Sequence, residues 1–226
     1  MATPSPSGGR LGWGWSQMQT IETDFLERSK TPFNMLADAL IFIAQVTFGL
    51  LTFTLLLRFY MQWVRAPYRN PLADFVNALT DFMVRPARRA IPGLWGLDLP
   101  TLLLAWLMQL LELVVVMQVR GYRFGTEIGI AAIGIAAFAA VAVLKLLIYI
   151  VLGATLLQAL LSWINPGSPV APLLDAMTRP FLRLFRRRIP PVGNVDLSPL
   201  FLLVICQLLL ILPVAWLESE ALRLLR

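Results

Sequence analysis

The chain has 226 residues, of which 58% are hydrophobic and only 14% are charged, and its mean hydropathy is +0.73. Too few polar residues are present to cover a soluble globule of this length, so the composition predicts a membrane protein. The absence of histidine excludes histidine-ligated haem, histidine-bound zinc and histidine-based acid–base catalysis. The single Cys206 lies in an apolar run and excludes an intrachain disulfide.

The first 38 residues form a predicted flexible N-terminal arm. Residues 1–20 are rich in Pro, Ser and Gly, a composition typical of a flexible tail. The arm lacks the basic start, short apolar core and small-residue cleavage site of a secretory signal, so no cleavage is expected. Thr31 and Pro32 then have the residue types that begin a helix.

Four apolar stretches have the length needed to cross a hydrocarbon core of roughly 30 Å. They are residues 39–63, 99–119, 139–163 and 197–212, the last extending to 217 if Pro213 only kinks the helix and does not end it. The Gly- and Ala-rich residues 128–138 precede the third span. They are either a helical extension of that span or an interfacial segment, and the lack of a turn signal disfavours a fifth span.

The Arg-rich segment after the first span is repeated after the third. Residues 98 positions apart are identical at several places: Thr80 and Thr178, Arg85 and Arg183, Arg88 and Arg186, Arg89 and Arg187, and Asp98 and Asp196. Upstream, Trp63 and Trp163 lie 100 positions apart, so the two copies differ by two residues in a loop. We therefore predict two tandem membrane repeats, 39–119 and 139–217, joined by a linker at 120–138 and followed by a tail at 218–226.

Each copy contains a Trp, a short loop, a Pro, an apolar-rich segment, an Arg pair, Ile-Pro, a Gly-containing link and Asp-Leu. This pattern resembles the YggT (YlmG) family of small bacterial inner-membrane proteins, over roughly residues 40–212. The resemblance implies a role linked to tolerance of osmotic or extracytoplasmic stress. For photosynthetic relatives it implies cofactor assembly on a cytochrome b subunit, or the organisation of division or nucleoids.

The basic residues predict the orientation in the membrane. Eleven of the nineteen lie between Arg58 and Arg89 or between Arg179 and Arg188. By the positive-inside rule both segments are cytoplasmic and both termini lie outside the cytoplasm. Their position next to spans favours anionic lipid over nucleic acid as the partner of these charges.

Each Arg-rich segment has the apolar spacing of an amphipathic helix, which Pro86 or Pro180 is expected to break. The first has its apolar residues at Leu72, Phe75, Val76, Leu79, Phe82 and Met83, and the second at Leu174, Met177, Phe181, Leu184 and Phe185. The basic edges provide candidate contacts for lipids or for a membrane partner: Arg85, Arg88, Arg89, Arg183, Arg186 and Arg187. The alternative is that these helices only fill the space beneath the bundle.

Four acidic or basic residues outside these edges are further candidates. Asp98 and Asp196 each precede a span, where a carboxylate can cap the helix or pair with an arginine such as Arg89. Glu112 and Lys145 are expected at similar depth inside the second and third spans. A charge there is costly unless it is paired, so we predict an ion pair between them, with separate snorkelling of each as the alternative.

No phosphate-binding Gly loop, metal-ligand cluster or nucleophile with a base is evident, so neither catalysis nor a cofactor is expected. The predicted protein is all-α and polytopic, a scaffold or assembly factor whose partners are anionic lipids and other membrane proteins. Homo-oligomerisation is left open. The alternative is a small oligomeric transporter or channel, with Glu112 and Lys145 along its path.

Overall fold

A computed structural model describes residues 32–67, 70–91, 98–121, 128–165, 167–187 and 196–224. The chain divides into two compact units, Met1–Ile43 and Ala44–Arg226. The described residues contain helices and no strand, as predicted. The helices are α1 (Pro32–Trp63), α2 (Pro71–Ala90), α3 (Leu99–Val119), α4 (Ile128–Ile164), α5 (Ala171–Arg186), α6 (Ser198–Leu209), a π-helical turn (Leu210–Val214) and α7 (Ala215–Arg223).

Four helical stretches are long and apolar enough to cross a membrane, which agrees with the predicted number. They are Asn34–Trp63, Leu99–Val119, Ala131–Ile164 and Ser198–Arg223. Many of their large apolar side chains are exposed, among them Phe53, Leu157 and Leu208. Such surface needs a hydrocarbon environment, and helices satisfy their own backbone groups within one.

The third span begins earlier than predicted. Residues 128–138 form the first three turns of α4, so of the two alternatives the helical extension is confirmed. The Trp106 indole Nε1 of α3 donates to the Ala136 carbonyl at 3.1 Å. This hydrogen bond, together with the small side chains of the segment, holds α3 close to α4.

Pro213 does not end the fourth span. The chain passes through the π-helical turn Leu210–Val214 and continues as α7 to Arg223. A π-helical turn accommodates proline because it widens the helix where the missing N–H would have bonded. Glu218 therefore belongs to the helix, and the predicted tail at 218–226 begins inside it.

The two amphipathic helices, α2 and α5, lie at the same ends of their neighbouring spans. Asn70 Oδ1 accepts from the Ala73 N–H at 2.9 Å and caps α2. The prediction that Pro86 and Pro180 break these helices is wrong, since both lie inside continuous helix. Both prolines are exposed, so the carbonyl that each leaves without a partner can be solvated.

The second half of α1 contacts both amphipathic helices. Its Arg58 bonds to Thr80 of α2, and its Tyr60 hydroxyl donates to the Met177 carbonyl of α5 at 2.5 Å. The hydrophobic core lies around these contacts and includes Leu55, Leu56, Val76, Val84, Leu173, Leu182, Leu202 and Cys206. The core thus joins the two predicted repeats at the end where α2 and α5 lie.

Candidate functional site

The last turn of each amphipathic helix contains an arginine that pairs with an aspartate ten residues later. Arg88 reaches Asp98 through Nη2–Oδ2 at 2.5 Å and Nε–Oδ1 at 3.3 Å. Arg186 Nε reaches Asp196 Oδ2 at 2.8 Å. These are positions 98 apart in the sequence. An arginine–aspartate pair thus occurs in both copies, although in the first it involves Arg88 and not Arg89.

The two aspartates differ in how they meet the following helix. Asp98 precedes α3 but makes no side-chain cap, because its Oδ2 accepts from Arg88 and from the Thr101 hydroxyl at 2.5 Å. The prediction of a carboxylate cap is therefore wrong for Asp98. Asp196 Oδ1 accepts from the Ser198 N–H at 2.9 Å, so this aspartate does satisfy an N–H at the start of α6.

The first pair is also more buried. The Asp98 side chain is 5% exposed, whereas that of Asp196 is 41% exposed. Burial by itself would raise the pKa of Asp98, but the hydrogen bonds from Arg88 and Thr101 outweigh it and lower the pKa below its ordinary value. The pKa of Asp196 is also lowered, because its contacts with Ser198 and Arg186 outweigh a smaller burial.

A glutamine contacts both members of the first pair, and no equivalent side chain contacts the second pair among the residues that the structure describes. Gln62 of α1 lies against Arg88 and Asp98: its amide oxygen is 3.3 Å from Arg88 Nη2. With its amide turned to satisfy both ends, its nitrogen donates to Asp98 Oδ2 at 2.8 Å. The residue 100 positions later is Ser162, whose short side chain bonds to its own helix at the Ala159 carbonyl, 2.7 Å away.

A cavity of about 500 Å³ lies where Gln62 would have its counterpart. Polar groups line one side of it: Gln158, Ser162, Arg186 and Asp196. Trp163 and the first turns of α6, with Leu197, Leu200 and Leu203, line the other. The cavity thus combines an ion pair with an apolar wall on a span.

A second set of contacts joins α1 to α2 and α4 to α5. Arg58 Nη1 donates to Thr80 Oγ1 at 2.7 Å and to Asp81 Oδ1 at 2.8 Å. The hydrogen bond from Arg58 is the main reason that the pKa of Asp81 lies below its ordinary value, and Arg85 adds to it. Arg58 is 8% exposed, so it is a structural charge within the fold.

The corresponding position of the second predicted copy holds a neutral residue, which contacts the equivalent threonine and an aspartate at a different position. Gln158, 100 positions after Arg58, accepts from the Thr178 hydroxyl and donates to Asp175 Oδ1 at 3.4 Å. From the sequence, Arg58 is only one of the basic residues that predict the orientation, and Gln158 has no predicted role. Their spacing of 100 positions, and the 98 between Thr80 and Thr178, was the signal that could have linked them.

Of the six candidate arginines, three make no ion pair within the described ranges. Arg89, Arg183 and Arg187 are exposed. Arg85 is also exposed but bonds to Asp81 at 2.6 Å. The paired arginines, Arg88 and Arg186, therefore hold the structure together, while the unpaired ones are available to groups outside the chain.

Lys145 has a different partner from the one predicted. Its Nζ is 2.7 Å from Glu218 Oε1, across the interface of α4 and α7. This pairing exists because the fourth span continues past Pro213 and brings Glu218 alongside α4. Glu112 accepts instead from Gln109 Nε2 at 3.2 Å within α3.

The apolar flanks of the two amphipathic helices are covered unequally. On α5, Leu173 is 1% exposed and Met177 is buried beneath Tyr60. At the corresponding positions of α2, 98 residues earlier, Phe75 is 59% exposed and Leu79 is half-buried. The neighbouring Phe82 is exposed too. The flank formed by Phe75, Leu79 and Phe82 is named the open flank below.

The chain is similar to known proteins over most of its length. The CCB3/YggT family matches residues 37–119 and again residues 137–217. An uncharacterized protein of Pseudomonas aeruginosa is 35% identical over 176 residues, covering 77% of this chain and 87% of that protein. YggT of Escherichia coli K12 is 32% identical over 169 residues, covering 74% and 85%. No solved structure matches the chain. Because both matched segments together span most of the sequence, the chain belongs to the CCB3/YggT family.

Proposed function

We propose that the protein is a non-enzymatic integral membrane scaffold that organises other membrane components. The observation that carries this proposal is the open flank of α2. An apolar surface at the end of a span, beside exposed arginines, is suited to bind another membrane-embedded helix.

The covered flank of α5 indicates what occupies the open one. Tyr60 of α1 lies in the core there and contacts Met177, and Val64, just after the end of α1, packs against the same core. Their counterparts 100 positions later on α4 are Leu160 and Ile164, and both are exposed. The end of α4 from a second copy would cover the open flank as the end of α1 covers α5, so the scaffold assembles head to tail.

The unpaired arginines provide the second contact of the scaffold. Arg89 and Arg187 lie 98 positions apart, each beside an arginine that is already paired. In the predicted orientation they face the cytoplasmic leaflet. Its anionic lipids attract basic side chains, and each one near the surface contributes about 1 kcal/mol to binding. Anionic headgroups or acidic patches of partner proteins are the expected ligands.

Cysteine cross-linking tests the assembly. In a Cys206→Ala background, Leu79→Cys and Leu160→Cys are placed on separate, differently tagged copies and co-expressed. These positions correspond to Met177 and to Tyr60, whose hydroxyl reaches the Met177 carbonyl within one chain, so we expect a short bis-maleimide to link the two copies into a heterodimer. Leu144→Cys, exposed on the same helix about 24 Å along it from Leu160, replaces Leu160→Cys as the control. Equal cross-linking with the control, or none with Leu160→Cys, would contradict head-to-tail assembly.

Co-purification in native nanodiscs tests the scaffold role itself. The wild type is compared with a variant carrying Arg89, Arg183 and Arg187 all changed to Gln. We expect a defined membrane partner to be retained by the wild type and lost by the variant. The variant should also fail to restore growth under osmotic stress to a deletion strain. Purification of the wild type without any partner would count against the proposal.

The alternative function, a small oligomeric transporter or channel, draws on Glu112 in the middle of α3. Its described partner is the neutral Gln109, and intramembrane carboxylates often mark ion paths. Ion flux into liposomes that is abolished by Glu112→Gln would favour this alternative.

A further inference from the structure

We propose that the cavity beside Arg186 and Asp196 binds the headgroup of a zwitterionic lipid with a primary amine, its phosphate on Arg186 and its ammonium on Asp196. This ligand site is independent of the open flank and of head-to-tail assembly.

The first predicted repeat shows what the site requires. Gln62 places an acceptor on Arg88 and a donor on Asp98, so one small group satisfies both members of an ion pair. In the second predicted repeat the pair is present, but Ser162 bonds to Ala159, and a cavity lies beside the pair among the described residues. A ligand that fills it must offer the same combination, an acceptor and a donor a few bonds apart.

The ion pair itself selects the charges of that ligand. Asp196 is held by Arg186 Nε, which leaves the two Nη groups of the guanidinium for an incoming oxyanion. Arginine binds phosphate oxygens well through such forked donors. The half-exposed Asp196 carboxylate can then accept from an ammonium group. A choline group has the charge but no N–H to donate, and a glycerol headgroup has no cation to balance Asp196.

The apolar wall identifies the source as a lipid and not as a soluble amine phosphate. Leu197, Leu200 and Leu203 continue from the cavity along α6, which is one of the four candidate spans. Acyl chains can follow this wall into the membrane while the headgroup stays at the end of the bundle. Trp163 beside the cavity is the residue type found at that depth.

Native mass spectrometry of the full chain tests the site with dioleoyl phosphatidylethanolamine, phosphatidylcholine and phosphatidylglycerol. We expect one tightly held phosphatidylethanolamine, preferred about tenfold over the other two, as loss of one charged hydrogen bond predicts. Ser162→Gln should fill the cavity and abolish this preference. Gln62→Ser should open the first site and add a second bound molecule.

Three controls make the outcome decisive. Ser219→Gln introduces the same change at an exposed position far along the chain and should bind as the wild type does. Asp196→Asn keeps the shape but should reduce phosphatidylethanolamine to the level of phosphatidylcholine. Soluble phosphoethanolamine should not displace the lipid. Wild-type binding by Ser162→Gln, equal retention of phosphatidylcholine, or displacement by phosphoethanolamine would each overturn the proposal.

Discussion

The two predicted repeats use different side chains where the first span of each contacts the amphipathic helix that follows it. In the first, Arg58 brings a buried charge to Thr80 and Asp81. In the second, Gln158 brings an amide to Thr178 and Asp175. A buried charge requires partners that are close and well oriented, whereas an amide tolerates solvent and gaps. The first repeat is therefore the more tightly determined of the two.

The same difference recurs at the aspartate that follows each amphipathic helix. Asp98 is enclosed by Arg88, Thr101 and Gln62. Asp196 has Arg186 and one backbone N–H, with a cavity beside it. The enclosed carboxylate of Asp98 stabilises the fold, whereas the pair of Arg186 and Asp196 has polar groups that a ligand in the cavity could contact.

The largest effect is expected when Arg58 and Gln158, the residues at the contact between span and amphipathic helix, are exchanged. Arg58→Gln should lower the free energy of unfolding by about 2 to 3 kcal/mol, because Asp81 and Thr80 lose a buried charged donor while Arg85 remains. The reciprocal Gln158→Arg should cost less than about 1 kcal/mol, since Asp175 is part-exposed. Denaturant unfolding in detergent micelles measures both. Equal losses would show that the two contacts are equivalent.

Next in size is the contrast between the aspartates. Asp98→Asn should lower the free energy of unfolding by about 2 kcal/mol, because a buried acceptor of several donors loses its charge. Asp196→Asn should lower it by less than about 1 kcal/mol, since its ion pair is solvent-exposed. The same unfolding assay applies. A larger loss for Asp196→Asn would contradict the assignment of the first pair as the structural one.

The ion pair of Lys145 and Glu218 has no counterpart in the first repeat, where Gln45 precedes Lys145 by 100 positions. Lys145→Glu or Glu218→Lys alone should destabilise the chain by about 1 kcal/mol or more, and the double exchange should restore stability. The double exchange of Lys145 with Glu112 should not restore stability. Rescue by the Glu112 exchange would show that the predicted pair exists after all.

Protonation at acid pH should cause the smallest loss of stability per carboxylate, because a protonated aspartate can still form a hydrogen bond. The pKa values of Asp81, Asp98 and Asp196 all lie below the ordinary value. Their stabilising contribution is complete above about pH 4 and is lost as the pH falls through the lowered values. Melting temperatures between about pH 6 and pH 3 should fall more steeply for the wild type than for Asp98→Asn. Parallel curves would exclude Asp98 as a main contributor.

Much of the candidate site followed from residue spacing, but the partners did not. The offset of 98 positions identified Arg88, Arg186, Asp98 and Asp196 as members of one pattern, because local sequence fixes helix ends and turns. It did not distinguish Arg88 from Arg89 as the partner of Asp98, since adjacent residues on a helix differ by about 100° in direction. It also could not show that Gln62 closes one pair while Ser162 leaves the other open.

By itself the sequence determined the helical class, the number of apolar spans and the recurrence of the Arg-rich segment. Composition and periodicity are local properties, and a membrane leaves helices few alternatives. Only the tertiary structure decided that the fourth span continues through Pro213, that Lys145 meets Glu218, and that α1 covers the flank of α5 but leaves that of α2 open. Each of these depends on which helix lies next to which, and that choice is made by packing between segments distant in the chain.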